Sequence, residues 1–173
     1  MLIEQPILPG DIIEFANTRG TVRRIGARST HILTPENLDL VVPNSALLEN
    51  SITNWTLRDN SVRRTMRVGV AYGSPTRQVE KLLYQSLNED ERILKNPPPS
   101  IFFADFGNSA LQLEIRFWMQ MRQLTEAWIV ESELRHRIDE NFRKEGIVIA
   151  FPQRDIHLHP AEHPLKVEVI KST

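Results

Sequence analysis

Residues 20–45 read GTVRRIGARSTHILTPENLDLVVPNS, and this stretch decides the fold of the first part of the chain. It contains three short runs rich in β-branched and aliphatic residues, at 21–25, 29–33 and 38–42. Gly26 separates the first two runs, and Pro35-Glu36-Asn37 separates the second from the third. Runs of this length between turn-forming residues predict a small antiparallel barrel or sandwich.

Two more runs extend this set to five strands. One lies at 11–15 after the turn signal Pro9-Gly10, and the other lies at 52–55 after Asn50. Pro43-Asn44-Ser45 ends the fourth strand, because proline cannot donate to a ladder and Asn or Ser caps the element that follows. Residues 45–49 are predicted to form one helical turn. We therefore expect a five-stranded SH3-like or Sm-like β-barrel over residues 1–58.

The periodicity changes after the polar break at residues 56–60, which we interpret as a domain boundary. Residues 62–70 alternate as a long strand, although Arg64 interrupts the pattern. Ser74 and Pro75 predict the start of a helix, with serine as the N-cap and proline at the first helical position. Four apolar residues share one face of this helix, namely Val79, Leu82, Leu83 and Leu87.

A strand pair, a second helix and a last strand follow. Residues 101–106 and 111–119 flank the turn Gly107-Asn108, which predicts an antiparallel hairpin. The second helix is predicted from Thr125 to about Phe142, with Gly146 ending it, and the last strand at 147–151. This order is that of a ferredoxin-like βαββαβ domain, here at 59–158. The predicted class is α+β, with a tail at 159–173 in which 165–170 alternate as one more strand.

Short motifs along the chain resemble those of the small-conductance mechanosensitive channel family. They are Pro9-Gly10-Asp11, Gly20-Thr21-Val22, Val42-Pro43-Asn44-Ser45, Val70-Ala71-Tyr72-Gly73, Phe106-Gly107-Asn108-Ser109 and Phe151-Pro152-Gln153. They occur in the family's order and spacing over roughly residues 9–158. Ala150 stands where the family usually has a proline. The strings at 72–75 and 54–59 look closer to the larger, potassium-responsive members.

The resemblance implies the cytoplasmic vestibule of a tension-gated channel that releases ions and small osmolytes on hypo-osmotic shock. It also implies a homo-heptamer on the cytoplasmic side of the bacterial inner membrane, joined to the membrane by helices that precede this stretch. Residues 155–158 would match a short strand that closes the far end of the vestibule. The motif residues would have structural roles, and they are Gly10, Asp11, Gly20, Pro43, Asn44, Phe151 and Pro152.

Composition narrows the functional classes. Charge is nearly balanced, with 21 Lys and Arg against 22 Asp and Glu, so a nucleic-acid partner, which requires a basic face, is not expected. The absence of cysteine excludes disulfides and thiolate metal sites. No apolar run approaches the roughly 18–20 residues of a membrane helix, and Glu4, Pro6 and Pro9 interrupt any signal-peptide core. We expect the chain as given to be soluble.

Candidate sites in the sequence are few. His157, His159 and His163 are weak candidates for a metal site, because a His-x-His pair on a strand points both rings to one face; the alternative is a polar, proline-rich tail. Without a nucleophile elbow or a glycine-rich phosphate loop, we expect neither an enzyme nor a cofactor. Trp118 and Trp128 lie off the predicted apolar faces. They are candidates for subunit contacts or for coverage by the neighbouring domain.

Two rival functions stay open from the residues alone. The first is a stand-alone soluble module that binds a ligand or regulates a partner, as ferredoxin-like domains often do. The second is RNA binding, since both predicted folds occur in RNA-binding proteins. The second rival lacks the aromatic stacking pattern and the basic charge that RNA recognition uses.

Overall fold

Eleven helices and strands follow one another along residues 7–156, the part of the chain that the computed structural model describes. Their bounds are β1 Ile12–Phe15, β2 Thr18–Ile25, β3 Ser29–Leu33, β4 Asp39–Pro43, α1 Asn44–Glu49, β5 Thr53–Asn54, β6 Ser61–Val70, α2 Thr76–Asn88, β7 Ser100–Phe106, β8 Leu111–Gln120 and α3 Leu124–Lys144. We call β1–β5 with α1 the first unit, and β6–β8 with α2 and α3 the second unit. The predicted α+β class is confirmed.

The first unit is one antiparallel sheet with the strand order β4-β3-β2-β1-β5. Alternate residues of the strands point to one side, as the period of two requires, and they bury a small core there. Its buried apolar side chains are Ile7, Ile13, Val22, Ile32, Val42 and Leu47. The last of these belongs to α1, which forms where a helical turn was predicted.

The prediction of a closed barrel is wrong. Within residues 7–156, β4 and β5 are the two edges of the sheet and do not pair with each other. The expected strand at 52–55 shrinks to Thr53–Asn54, because the Thr56 hydroxyl accepts the backbone N–H of Ile12 at 2.9 Å. A side chain thus takes the position that the next ladder carbonyl would occupy, and the edge strand is too short for closure.

The second unit is a three-stranded antiparallel sheet in the order β6-β8-β7, covered on one face by α2 and α3. The long pair β6–β8 runs in register from Ser61↔Gln120 to Val70↔Leu111. Its core is larger than that of the first unit and includes Phe117, Leu134 and Phe142, each at most 1% exposed. Ile12 of β1 also belongs to this core, so the two units pack against each other.

Two expectations for the second unit need correction. The strand at 147–151 is reduced to a single bridge, Val70↔Ile149, because only Ile147 is buried, while Ile149 and Phe151, which would share its strand face, stay exposed. Helix α2 begins at Thr76 rather than directly after Ser74, with Pro75 as its N-cap and no side-chain capping bond. Asp155 and Ile156 are not in a strand. The predictions for 157–173 lie outside the described residues.

Candidate functional site

The motif Pro9-Gly10-Asp11 forms a hydrogen-bonded corner at the start of the first sheet. One carboxylate oxygen of Asp11 accepts the backbone N–H of Leu8 and the side-chain amide of Asn54, both at 2.8 Å. Gly10 has a φ of 97°, in the left-handed region that glycine adopts without a steric cost. Its N–H donates to the carbonyl of Val22 at 2.8 Å. Asp11 therefore ties the chain before β1 to the edge strand β5.

The motif Pro43-Asn44 forms a second corner, where β4 passes into α1. The Asn44 side chain donates to the carbonyl of Gly26 at 3.0 Å and accepts the hydroxyl of Thr30 at 2.9 Å. Its backbone N–H donates to the carbonyl of Arg28 at 2.9 Å. Because Thr30 is only 1% exposed, Asn44 satisfies a buried hydroxyl. Both the oxygen and the nitrogen of the Asn44 side-chain amide thus form hydrogen bonds within the protein.

Gly20 has a steric role of another kind. A Cβ atom at this position would lie 2.7 Å from the carbonyl oxygen of Leu33 and against the side chain of Ile32. Strands β2 and β3 therefore approach each other more closely here than a side chain allows. The predicted motif residues Phe151 and Pro152 are both exposed, and the adjoining N–H of Gln153 donates to the Ser109 hydroxyl at 3.2 Å.

A buried carboxylate links the two helices of the second unit. Asp90, just after α2, is 5% exposed and accepts two hydrogen bonds from the guanidinium of Arg92, at 2.7 and 2.8 Å. Arg137 of α3 reaches the same carboxylate at 3.3 Å, and Arg92 also pairs with Glu133 of α3. The hydrogen bonds from Arg92 lower the pKa of Asp90 to about 2.

Arg64, which interrupts the alternation of β6, has a specific partner. Its guanidinium lies 2.6 Å from a carboxylate oxygen of Glu131 on α3, and both side chains are mostly buried. The arginine thus points to the helix side of the sheet, as Val62 and Met66 do. Sequence reasoning identified the irregularity but not the partner, because Glu131 lies 67 residues further along the chain.

The face of the second sheet that turns away from the helices carries charge. Glu114 of β8 lies between Arg67 of β6, at 3.3 Å, and Arg116, at 2.6 Å. The hydrogen bond from Arg116 is the main cause that lowers the pKa of Glu114. The Arg116 guanidinium also lies over the ring of Phe102, 4.9 Å from its centroid, which is a cation–π contact. Trp118 lies on this face, half-buried.

We call Tyr72, Phe102, Phe103, Phe106 and Phe151 the aromatic edge. All five side chains are at least 43% exposed, and three of them belong to β7, which pairs only with β8 among the described strands. Phe103 and Phe106 contact each other edge to face, with centroids 4.8 Å apart. The Tyr72 hydroxyl donates to the carbonyl of Gly107 at 2.6 Å. Exposed aromatic residues beside an open strand edge are typical of an interaction surface.

The sequence offered a signal for the aromatic edge that the pattern analysis did not use. Residues 101–106 read IFFADF, so large apolar side chains point to both faces of β7. A strand covered on one face would alternate apolar and polar residues. The excess of phenylalanine therefore indicates that the face of β7 turned away from the helices is also an interaction surface.

Trp128 lies at the junction of the two units and is 53% exposed. It lines a cavity of about 40 Å³ together with Arg19 and Trp55 of the first unit. The neighbouring unit therefore covers one side of its ring, and the other side faces solvent. The Arg19 guanidinium stacks on Trp55, 4.8 Å from the ring centroid, which is a contact within the first unit at its border with the second.

The candidate metal ligands His157, His159 and His163 lie outside the described residues. Between residues 7 and 156, His, Asp and Glu side chains nowhere form a group of three that could hold a metal ion. The same part of the chain has no helix that is both long enough and apolar enough to cross a membrane.

Two family models match consecutive stretches of the chain. The model described as the mechanosensitive ion channel beta-domain matches residues 1–57, and the one described as the C-terminal part of mechanosensitive ion channel MscS matches residues 65–149. The two matches cover the first and the second unit in turn. They meet across the polar break between β5 and β6.

Relatives and a solved structure extend this likeness. The chain is 36% identical over 159 residues to the mechanosensitive channel MscK of Escherichia coli, covering 92% of this chain and 14% of the relative. It is 35% identical over 158 residues to an MscS family protein of Haemophilus influenzae, covering 91% of this chain and 14% of the relative. These lengths agree with the expected closeness to larger members. The closed-state crystal structure of Helicobacter pylori MscS aligns with a TM-score of 0.83 at 30% identity, covering 92% of this chain and 62% of that one.

Proposed function

Because the chain belongs to the MscS family of mechanosensitive ion channels, we propose that it is the vestibule portion of a tension-gated channel. In this proposal membrane helices precede the chain, and the two units lie on the cytoplasmic side of the bacterial inner membrane. Tension favours a conformation with a larger area in the membrane, so that the equilibrium moves to the open state. Ions and small osmolytes then pass through the vestibule during hypo-osmotic shock.

The likeness to the solved channel carries the proposal. It extends over 92% of the chain and therefore includes both units and their junction, whereas a shared single unit would support only a fold. The chain spans 14% of the length of MscK and of the H. influenzae relative. A part of this size agrees with one portion of a larger channel.

We propose that the portion assembles with copies of itself, seven in the complete channel. Two features of the described residues support self-assembly: the first sheet ends in two unpaired edges, β4 and β5, and the aromatic edge of the second unit stays exposed. An unpaired strand edge is a template for pairing with another chain, and burial of exposed aromatic side chains removes apolar surface from water, which is favourable. The exposed side of Trp128 and the half-buried Trp118 are further candidates for these contacts.

The finer architecture is part of the proposal. The sheet order β6-β8-β7, with Ile149 bridged to the free side of β6, follows the ferredoxin-like arrangement with a reduced fourth strand. The first unit would be an Sm-like sheet that stays open in the single chain. We propose domains at 1–58 and 59–158 with a tail at 159–173. The motif residues Gly10, Asp11 and Asn44 at the two corners, and Gly20 at the close approach of β2 and β3, then stabilise the fold of the first unit.

Catalysis and nucleic-acid binding have no part in the proposed function. The named family consists of channels, and the chain carries a net charge of -1. A polyanion partner would need a basic face over many contacts. We propose no cofactor for the vestibule.

Electrophysiology on the complete polypeptide tests the proposal. Membrane patches from cells that make the full-length protein, in a strain without other tension-gated channels, should conduct when suction is applied. The matched control is the same strain that makes only residues 1–173 of this sequence, whose patches should stay silent. Silent patches with a full-length protein shown to be in the membrane would overturn the channel function.

The assembly step needs a test of its own. Phe102→Asp with Phe106→Asp places two charges on the aromatic edge, so the full-length protein should dissociate into smaller species in native mass measurement. Leu57→Asp is the matched control, because Leu57 is also exposed, at 58%, but lies outside the aromatic edge. If the double variant keeps the full oligomer, the aromatic edge is not part of the contact between subunits.

A further inference from the structure

The junction between the two units contains an open cleft of about 440 Å³. The first unit lines it with residues of β2 and of the β3–β4 turn, and the second unit with the residues at the start of α3. The polar side chains that matter for its chemistry are Thr21, Arg23, Thr34, Asn37, Arg122 and Thr125. We call this site the arginine cleft. Its volume falls in the range of small-molecule sites.

Arg23 reaches the cleft because of an irregularity in β2. In the ladder, Val22 pairs with Ile32 and Arg24 pairs with His31, so Arg23 is the extra residue of a β-bulge. Bulges re-aim a side chain and are frequent beside functional sites. Among residues 7–156, Arg23 forms no ion pair with a carboxylate.

Arg122 supplies the second positive charge from the other unit. The nearby carboxylate of Glu126 accepts the backbone N–H groups of Arg122 and Gln123, at 2.6 and 3.3 Å, as the capping box of α3. Glu126 does not line the cleft. Arg122 also lines a neighbouring cavity with Glu91 and Glu126, but within the described part of the chain it forms an ion pair with neither carboxylate.

The lining of the cleft is chemically one-sided. Its lining residues include two arginines and three threonines, while neither Asp nor Glu contributes to it among the described residues. Other exposed arginines, such as Arg24 and Arg28, also form no ion pair in the described part of the chain, but they do not line this cleft. Two unpaired arginines from different units beside hydroxyl donors favour an anionic group, which guanidinium binds through charge-assisted hydrogen bonds.

We propose that the arginine cleft binds a small organic or inorganic anion that carries a carboxylate or a phosphate. This site goes beyond the proposed channel function and does not depend on it. Because Arg23 and Arg122 belong to different units, an anion bound by both stabilises the arrangement in which the units face each other. The occupied cleft therefore couples the two units.

Calorimetric titration of the 173-residue chain with potassium glutamate and with potassium phosphate tests the proposal, with potassium chloride at equal ionic strength as the reference. We expect saturable binding of one anion to each chain. Saturation with glutamate alone identifies a carboxylate ligand, and saturation with phosphate alone identifies a phosphate ligand. Saturable binding of neither anion overturns the proposal.

A pair of double variants connects binding to the cleft. Arg23→Gln with Arg122→Gln should weaken the saturable binding at least about 10-fold, because each removes a charge-assisted contact. Arg24→Gln with Arg28→Gln changes the net charge equally, at exposed residues that do not line the cleft, and should leave Kd within about twofold. An equal loss of affinity in both double variants would mean that the anion responds only to the net charge of the chain, and this result would overturn the site.

A measurement on the unaltered chain guards against misfolding of the variants. Amide chemical shifts should change on anion addition at residues 34, 36 and 37 and at residues 122–125, in the two segments that line opposite sides of the cleft. Circular dichroism of each variant checks that it is folded before its titration is compared. Shift changes spread evenly over exposed arginines would place the anion elsewhere and contradict the proposal.

Discussion

The two units of this protein are stabilised by different interactions. In the first unit the described residues bury a core of six apolar side chains, and the corners at Asp11 and Asn44 add side-chain hydrogen bonds between distant segments. In the second unit a core of 21 side chains, one of them Ile12 from the first unit, fills the space between sheet and helices. A small sheet cannot bury enough surface by itself, so its corners carry a larger share of its stability.

Because of this difference, the stability of the two units should be sensitive to different kinds of substitution. Substitutions in the second unit should cost most where they leave a cavity. Substitutions in the first unit should cost most where they break a polar corner or a close backbone approach. Four variants test this division, and the largest effect is expected in the larger core.

Phe117→Ala should destabilise the second unit by about 3–5 kcal/mol. Phe117 is fully buried in the core of the second unit, so its removal leaves a cavity there. Urea unfolding followed by circular dichroism measures the loss. Phe106→Ala removes the same ring from a side chain that is 71% exposed and should change stability by less than about 0.5 kcal/mol. Equal losses would mean that the described core does not stabilise the unit.

Gly20→Ala should destabilise the first unit by about 2–3 kcal/mol, in the upper range of overpacking costs. The added methyl meets the carbonyl oxygen of Leu33, which belongs to the backbone and cannot turn away. Gly10→Ala is the informative control, because its Cβ has open space and only the positive φ opposes it. It should cost about 1 kcal/mol. A larger loss at Gly10 than at Gly20 would contradict the close approach of β2 and β3.

Asn44→Ala should cost about 1–2 kcal/mol, because it leaves the buried Thr30 hydroxyl without its acceptor. Asn50→Ala provides the matched comparison. Asn50 also donates a side-chain hydrogen bond, to the carbonyl of Ala46 at 2.7 Å, but it does so at an exposed position, and its loss should cost only a few tenths of a kcal/mol. If thermal unfolding shows equal effects, the Asn44 corner has no special share in the stability of the first unit.

The elements that sequence reasoning predicted best are those whose pattern is repeated. Strand β8 alternates over five pairs, and each residue of its predicted apolar face is buried, namely Leu111, Leu113, Ile115, Phe117 and Met119. The run Ser29–Leu33 has the predicted bounds, since Gly26 and Pro35 limit it on both sides. Periodicity is a local property of the chain, so it survives without knowledge of the tertiary structure.

The features that sequence reasoning missed depend on residues that lie far apart in the sequence. The barrel is not closed: β5 has only two residues, and at its end the hydroxyl of Thr56 bonds to Ile12, 44 residues away in sequence. The strand expected at 147–151 failed because only Ile147 of its apolar residues is buried. Arg64 looked like an exception to the pattern until the structure showed its partner Glu131. The candidate site followed the same rule. The motif corners could be located from short strings, whereas the aromatic edge depends on which strand ends the sheet.

The smallest effect concerns the ionic link between α2 and α3. Hydrogen bonds from Arg92 lower the pKa of Asp90 from 3.8 to about 2, so the carboxylate stabilises the fold above about pH 4, and this contribution is lost as the pH falls towards 2. We expect the difference in unfolding free energy between the wild type and Asp90→Asn to stay constant above pH 4 and to shrink below it, by on the order of 1 kcal/mol after solvent screening. In the control Glu140→Gln, an exposed i,i+4 pair with Lys144 is lost, and the difference should change less over the same range. A wild-type–Asp90→Asn difference that is independent of pH between 2 and 5 would mean that Asp90 is not held as a carboxylate by Arg92, and that this ion pair does not help to join the helices of the second unit.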